Sequence, residues 1–235
     1  MIYLGIITDE EWDAFEHKYP GEADTMARRP DVGGYRCVVA VFGAVSPDGI
    51  HWKPLIEPLT IQHADTMNTC YYDVDRKKYI AHVRMWQVNQ HMPGFGAPDS
   101  TSWISVGRRS IGRSISSDFR HFSKPEPAVT TGVDTAPSHV WYTNCKTTLP
   151  DCPDNHVMFP WLWEMESEGG SVWLFSSADS WSWSRFSDEP VVSCGEPGDP
   201  DGGFVVCTGN LRKMTKSASC LHGDEFVHHA TDSMS

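Results

Sequence analysis

The sequence predicts an all-β fold assembled from repeated four-stranded antiparallel sheets. Three observations predict it. The first is a turn motif that occurs three times: Ser46-Pro-Asp48-Gly-Ile-His-Trp52, Ser116-Ser-Asp118-Phe-Arg-His-Phe122 and Ser177-Ala-Asp179-Ser-Trp-Ser-Trp183. Each has a Ser two residues before an Asp and an aromatic residue four beyond it, and each is followed by Glu-Pro (Glu57-Pro58, Glu126-Pro127, Glu189-Pro190). The second is spacing: Asp48, Asp118 and Asp179 stand 70 and 61 residues apart, enough for one small sheet per repeat. The third is the material between the turns, short β-branched and aromatic runs bounded by Gly, Pro and Asp. Such repeats are the sequence pattern of a β-propeller, whose blades surround a central channel.

The elements follow in order. Asp9-Glu-Glu-Trp-Asp-Ala-Phe-Glu16 predicts a short helix before Pro20-Gly21, inside a polar N-terminal segment at 1–34. Tyr35 to Phe42 predicts a strand between Gly34 and Gly43. Pro47-Asp48-Gly49 then makes a tight turn, Pro fixing φ and Gly accepting a positive one. Asn68 to Tyr72 and Tyr79 to Met85 predict a hairpin turning at Asp73–Lys78, and Arg109 to Ile115 a third strand after the polar loop at Gly94–Asp99. Val140 to Thr143, His156 to Trp163 and Ser171 to Phe175 form the next unit, with a turn at Gly169-Gly170. Pro160 demotes the middle run to an edge or a bulge, because it cannot donate to a ladder. Gly202 to Cys207 opens a fourth unit that then loses its pattern.

The blades therefore fall near 35–60, 65–129, 134–192 and 201–212, within a propeller region at 35–212, and an irregular polar tail occupies 213–235. Three blades and the start of another do not close a ring. An unclosed propeller exposes sheet edges, so the expectation is a fragment, ahead of degenerate termini or closure by association.

Charge narrows the function classes. With 19 basic and 31 acidic side chains the formal net charge is −12, which disfavours a nucleic-acid partner. A carbohydrate suits that balance, and the ten Trp and seven Tyr supply faces on which sugar rings stack, although blades also bury Trp between sheets. The seven cysteines are odd in number and contain no Cys-x-x-Cys pair, so neither a zinc site nor a disulfide framework is expected. No cofactor or metal is expected either: Asp73-x-Asp75 lacks the Gly and Glu of a calcium loop. No run is long enough to span a membrane, so no membrane partner is expected. The first residues lack the basic region of a signal peptide. That predicts a cytoplasmic location if the chain is complete and allows a secreted one if an upstream segment is missing.

The repeat nominates candidate acids. Asp65 lies 7 residues after Pro58, Asp134 lies 7 after Pro127 and Glu196 lies 6 after Pro190. At that point a propeller chain leaves the outer strand of one blade and crosses to the innermost strand of the next. All three acids would then stand at the channel mouth. The competing reading is an Asp that bonds loop amides, and Asp201 rivals Glu196. Arg84, Arg109, His139 and Tyr142 are second candidates for substrate binding; Arg84 suits the channel and a structural ion pair equally, and His139 suits a satisfied core position. Asp48, Asp118 and Asp179 read as turn-forming residues whose aromatic partners pack inward.

A set of residues carries a family resemblance: Ser46-Pro-Asp-Gly-Ile-His-Trp-Lys-Pro-Leu55, Asp65-Thr-Met-Asn68, Tyr71-Tyr-Asp73 with Lys78-Tyr-Ile-Ala-His-Val-Arg84, Arg109-Ser-Ile-Gly-Arg113 with Ser117-Asp-Phe119, Met158-Phe-Pro160, Gly195-Glu-Pro-Gly198 and Asp201-Gly-Gly203. Together they resemble glycosyl hydrolase family 32 N-terminal-like proteins. These belong to the five-bladed propeller superfamily that includes invertases, levansucrases and arabinanases. The resemblance implies a five-bladed fold and three channel acids from different blades. One protonates the leaving oxygen of a glycosidic bond, one acts as nucleophile or base, and a third tunes the first. The chain departs from the pattern in lacking most of a first blade, in Ser180-Trp181 where Arg-Asp-Gly is usual, and after Asn210. The Trp-Met-Asn-Asp-Pro-Asn-Gly and Arg-Asp-Pro strings of fructosidases are missing, so fructan specificity is not implied. The expected function is acid/base glycoside hydrolysis in the channel. The alternatives are a non-catalytic carbohydrate-binding propeller and an inactive truncated fragment.

Overall fold

In a computed structural model, the described residues are 1–24, 39–62, 64, 66–88, 107–132, 135–136, 138–167, 169–196, 198–202 and 205–207. They form fifteen strands and one helix in four antiparallel sheets, an all-β architecture of propeller-type blades.

The second blade is the simplest. β4 (Thr69–Asp73), β5 (Lys78–Val88), β6 (Gly107–Ser116) and β7 (Glu126–Val129) pair in chain order. Its first hairpin turns at Asp73, whose carboxylate accepts from the Arg76 N–H at 2.8 Å and from Arg76 Nη1 at 2.9 Å. Because neighbouring strands run antiparallel, β4 starts and β5 ends at one end of the blade, the entry end. The repeat turn at Asp118 lies at the other end.

The third blade is one meander of four long strands, each broken in the middle. β8 (His139–Trp141) continues into β9 (Lys146–Leu149), and β10 (Cys152–Met158) into β11 (Trp161–Glu164). β12 (Gly169–Val172) continues into β13 (Phe175–Ser177), and β14 (Ser184–Arg185) into β15 (Val192–Ser193). The outcome is two sheets, ordered β15-β12-β11-β8 and β14-β13-β10-β9. Hydrogen bonds bridge the breaks: the Tyr142 N–H donates to the Trp161 carbonyl at 2.8 Å, and the Trp173 N–H to that of Pro160 at 2.9 Å. Pro160 sits at one break, where its missing N–H costs no ladder bond. The Gly169-Gly170 pair, expected as a turn, lies inside β12 instead. A Cβ on Gly170 would stand 2.3 Å from the Leu162 carbonyl oxygen and 2.7 Å from the Trp161 ring, so close strand packing requires that glycine.

The first sheet is ordered β1 (Ile2–Ile6), β2 (Val39–Val45) and β3 (Lys53–Pro54). The segment at 1–34 thus contributes a strand as well as the expected helix, α1 (Asp9–Lys18). Thr8 caps α1 in a capping box with Glu11, and Trp12 and Phe15 bury its apolar face with Ile7, Ala40 and Ile61. The repeat turn at Asp48 joins β2 to β3, as the others join β6 to β7 and β13 to β14. Hence β2 and β3 hold the third and fourth places of a blade, and β1 the second. Among the described residues, no strand holds the first.

The three repeat turns share one chemistry. Asp48 Oδ1 accepts from the N–H groups of Ile50 (2.9 Å) and His51 (2.8 Å), and Asp179 Oδ1 from Trp181 and Ser182 (both 2.8 Å). Asp118 Oδ1 accepts from Arg120 at 2.9 Å. Each motif's Ser hydroxyl caps the same turn. The residue after each Asp has positive φ: 75° at Gly49, 59° at Phe119 and 56° at Ser180. Only the first repeat places a glycine where φ demands one. Ser180 instead is fully buried and hydrogen-bonds Tyr71 of β4, which ties the turn to the second blade. Phe122 packs inward with Leu59 and Phe119, and Trp183 lies against the core between the second and third blades. Trp52 differs from expectation: it is 41% exposed, its Nε1 donating to the Gly49 carbonyl at 3.2 Å.

Of the fourth unit expected at 201–212, residues 201–202 and 205–207 are described and form no strand; residues 203–204 and 208–212, with the tail at 213–235, lie outside the described residues.

Candidate functional site

The entry end of β4 in the second blade meets the middle of the third blade's first strand around one buried amide. Asn144, 2% exposed, lies at the break between β8 and β9. Its Nδ2 donates to the carbonyls of Met67 at 2.8 Å and His82 at 3.0 Å. Its Oδ1 accepts from Thr69 Oγ1 at 2.8 Å and the Lys146 N–H at 3.3 Å. One side chain thereby fixes the segment leading into β4 against the first strand of the next blade. Asn68 adds to this, its Nδ2 donating to the Thr66 carbonyl at 2.8 Å and its Oδ1 accepting from the Arg84 N–H at 3.3 Å.

Beside this knot, cations and aromatic rings are layered. Arg84 on β5 and Arg109 on β6 lie across the two neighbouring strands, and both guanidiniums pack on Tyr142, at 4.7 and 4.5 Å from its ring centre. Arg109 also lies 5.5 Å from the Trp86 ring and 5.0 Å from that of Trp163. Tyr142 meets Trp161 and Trp163 edge-on. Such contacts hold guanidiniums where few waters reach. Burial pushes both pKa values down, and the charge of Arg109 pushes Arg84 further, with Tyr142 opposing the shift. Two adjacent cations, Arg84 buried and Arg109 half-buried, make this end of the blades favourable to carboxylates and hold any carboxylate beside them ionised.

Of the nominated residues, Arg84, Arg109 and Tyr142 come together here. His139 stands on β8 nearby, opposite Glu164 on β11. Its carbonyl and that of Ala136 both accept from Arg108 Nη2 at 2.7 Å. Arg108, 7% exposed, therefore pins the segment that leads into β8. Asp65 and Asp134 lie outside the described residues. In sequence, Asp65 directly precedes the Thr66–Asn68 stretch that Asn144 and Asn68 fix, and Asp134 directly precedes the Thr135–His139 stretch that Arg108 pins.

Glu196 and Asp201 are exposed and occupy a turn closed on itself. The Glu196 N–H donates to Asp199 Oδ2 at 3.1 Å, the Asp199 N–H to the Glu196 carbonyl at 2.9 Å, and the Gly195 N–H to the Asp201 carbonyl at 3.2 Å. Sequence reading missed Asn144 and Arg108. Asn144 stands in an irregular stretch with no periodicity to flag it; Arg108 is legible only as half of the Arg108-Arg109 pair.

Among the described residues, no cluster of three His, Cys, Asp or Glu side chains is arranged to hold a metal ion, and no helix is long and apolar enough to cross a membrane. None of the five described cysteines is in a disulfide.

No protein-family model and no curated protein matches this chain. Several solved structures resemble it at low identity. An N-acetylgalactosamine deacetylase from F. plautii, in complex with blood group B trisaccharide, is 16% identical with a TM-score of 0.49, over 70% of this chain and 48% of its own. A sucrose-6-phosphate hydrolase from Lactobacillus gasseri is 12% identical with a TM-score of 0.42, over 67% of this chain and 30% of its own. An α-L-arabinanase from Penicillium chrysogenum, complexed with arabinobiose, is 11% identical with a TM-score of 0.36, over 69% of this chain and 48% of its own. The present chain thus spans half or less of the length of each.

Proposed function

We propose that this chain is a unit of a glycoside-hydrolase-like propeller, five-bladed when complete and of the family 32-like type, that acts on a carbohydrate at the entry ends of its blades. The observation that carries the proposal is the packing of Arg84 and Arg109 on Tyr142, with Trp86 and Trp163 beside them. Aromatic faces and guanidinium donors are what a polyhydroxylated ring requires of a site. In sequence, Asp65 and Asp134 directly precede the stretches that Asn144 and Arg108 hold near this layer. In this reading one carboxylic acid protonates the glycosidic oxygen, while a carboxylate opposite attacks the anomeric carbon or activates a water. Guanidiniums beside one carboxylate keep it ionised for the second role, and the partner that stays protonated takes the first. Glu196 is the third acid, Asp201 its rival, and His139 a substrate contact.

The test is a screen of mixed polysaccharides and aryl-glycosides with wild type beside Asp65→Asn and Asp134→Asn. Turnover by wild type that falls at least 100-fold in both variants supports the proposal. Turnover unchanged in both would remove these acids from the chemistry.

A second reading, a carbohydrate-binding propeller without catalysis, is favoured by the exposed, self-closed turn that carries Glu196 and Asp201. Sugar binding by wild type without turnover of any substrate would select it.

A further inference from the structure

At the end of the blades opposite the entry ends, a cavity of about 660 Å³ opens between the second and third blades. It is lined by the β4 hairpin with Tyr71, Asp73 and Arg76, and by Lys146 and His156 from the third blade. Lys146 and His156 share one face of the β9–β10 pair, since Met158 pairs with Lys146 and His156 with Thr148. Lys146 is 5% exposed, and its Nζ lies 3.3 Å from the Tyr71 ring centre. Among the described residues, no oxygen is hydrogen-bonded to that Nζ. The nearby Asp73 carboxylate is already engaged by Arg76. A buried lysine on the wall of a cavity, held by a ring face rather than by a carboxylate, lacks the partner that would keep its charge inexpensive.

We propose that Lys146 is a reactive amine that forms a reversible imine with small neutral hydroxyaldehydes admitted to this cavity. In the step, the amine nitrogen bonds to the carbonyl carbon, the carbon–oxygen bond breaks, and the oxygen leaves as water with the two amine hydrogens. Reaction requires the free base, and burial pushes the Lys146 ammonium down to about 8, although Asp73 opposes the shift. That raises its free-base fraction at neutral pH on the order of 100-fold over an ordinary lysine. The walls also select the ligand. Asp73, Asp75, Asp154 and Asp179 outnumber Lys146 and Arg76 as charges, which disfavours anionic aldehydes and offers acceptors to hydroxyl groups. Burial, together with the charge of Lys146, pushes the His156 imidazole down and keeps it neutral beside the amine.

The test treats the whole chain with glycolaldehyde and cyanoborohydride at pH 7, to low conversion, and measures each lysine's adduct by peptide mass spectrometry. Lys146 is expected to be labelled at least 10-fold faster than the exposed Lys77 and Lys78, and Lys146→Arg to remove that adduct while sparing the other two. Labelling of Lys146 no faster than Lys77 overturns the proposal. Should Lys146→Arg fail to fold, the wild-type pH profile decides. A half-maximal rate near pH 8 at Lys146 supports the reactive amine, and a Lys146 rate still rising above pH 10 overturns it. No glycosidase activity enters any of these readouts.

Discussion

Replacing Asn144 by Ala tests how the two blades are joined. The substitution removes the donor to the Met67 and His82 carbonyls and the acceptor for the Thr69 hydroxyl. Thr69 and Met67 are half-buried, so water recovers part of their loss, whereas the His82 side chain above its carbonyl is fully buried. At about 1–3 kcal/mol for each buried group left without a partner, the sum comes to about 2–5 kcal/mol. With a urea slope of about 2 kcal/mol per molar, the unfolding midpoint should fall by about 1–2.5 M. Asn144→Asp keeps the shape and the acceptor but loses the donor, and it should fall nearly as far. A midpoint shift below about 0.3 M in both variants would refute the reasoning, because each hydrogen bond would then be replaceable by water. A large shift in Asn144→Ala with none in Asn144→Asp would assign the effect to lost volume.

Three further outcomes are expected. His82 is fully buried, and burial with the nearby charges of Lys146 and Arg113 lowers its pKa from 6.5 to about 3. Between those pH values the unfolded chain holds a proton that the folded chain refuses, so stability is full above about pH 6.5 and falls as pH drops toward 3. The slope is at most about 1.4 kcal/mol per pH unit, and His82→Leu should flatten it in urea titrations run from pH 7 to 4.5. Asp179→Ala frees the N–H groups of Trp181 and Ser182 and should lower stability by about 1–2 kcal/mol, read as a urea midpoint shift. Arg108→Ala unpins the Ala136–His139 stretch and should weaken sugar binding in calorimetry, with far-UV circular dichroism unchanged.

The features legible in the sequence are those made by residues close in the chain. The repeat turns were readable because Ser, Asp and the following amides bond within five residues, and α1 because its cap and apolar face are local. Pro160 reads as an edge or a bulge, whereas β10 and β11 are inner strands and the chain breaks between them at that residue. The remaining features depend on distant partners. Ile2–Ile6 carries no alternation, and becomes a strand through pairing with Val39–Val45. Asn144 acts across 62 to 77 residues of sequence, and Arg108 across 28 and 31. Grouping Arg84 and Arg109 with Tyr142 requires the register of β5 on β6 and the docking of the next blade. Ser180, a departure from the expected turn residue, is explained by its burial against Tyr71. The Lys146 cavity forms only where two blades meet.

The most direct test of the account is a paired measurement on wild type, Asp65→Asn and Asp134→Asn: sugar affinity by calorimetry and hydrolysis of the same sugar. The account predicts affinities within a few-fold of one another, with kcat reduced at least 100-fold in each variant. Turnover that survives both substitutions would contradict it, as would a wild type that binds its sugar and never cleaves it.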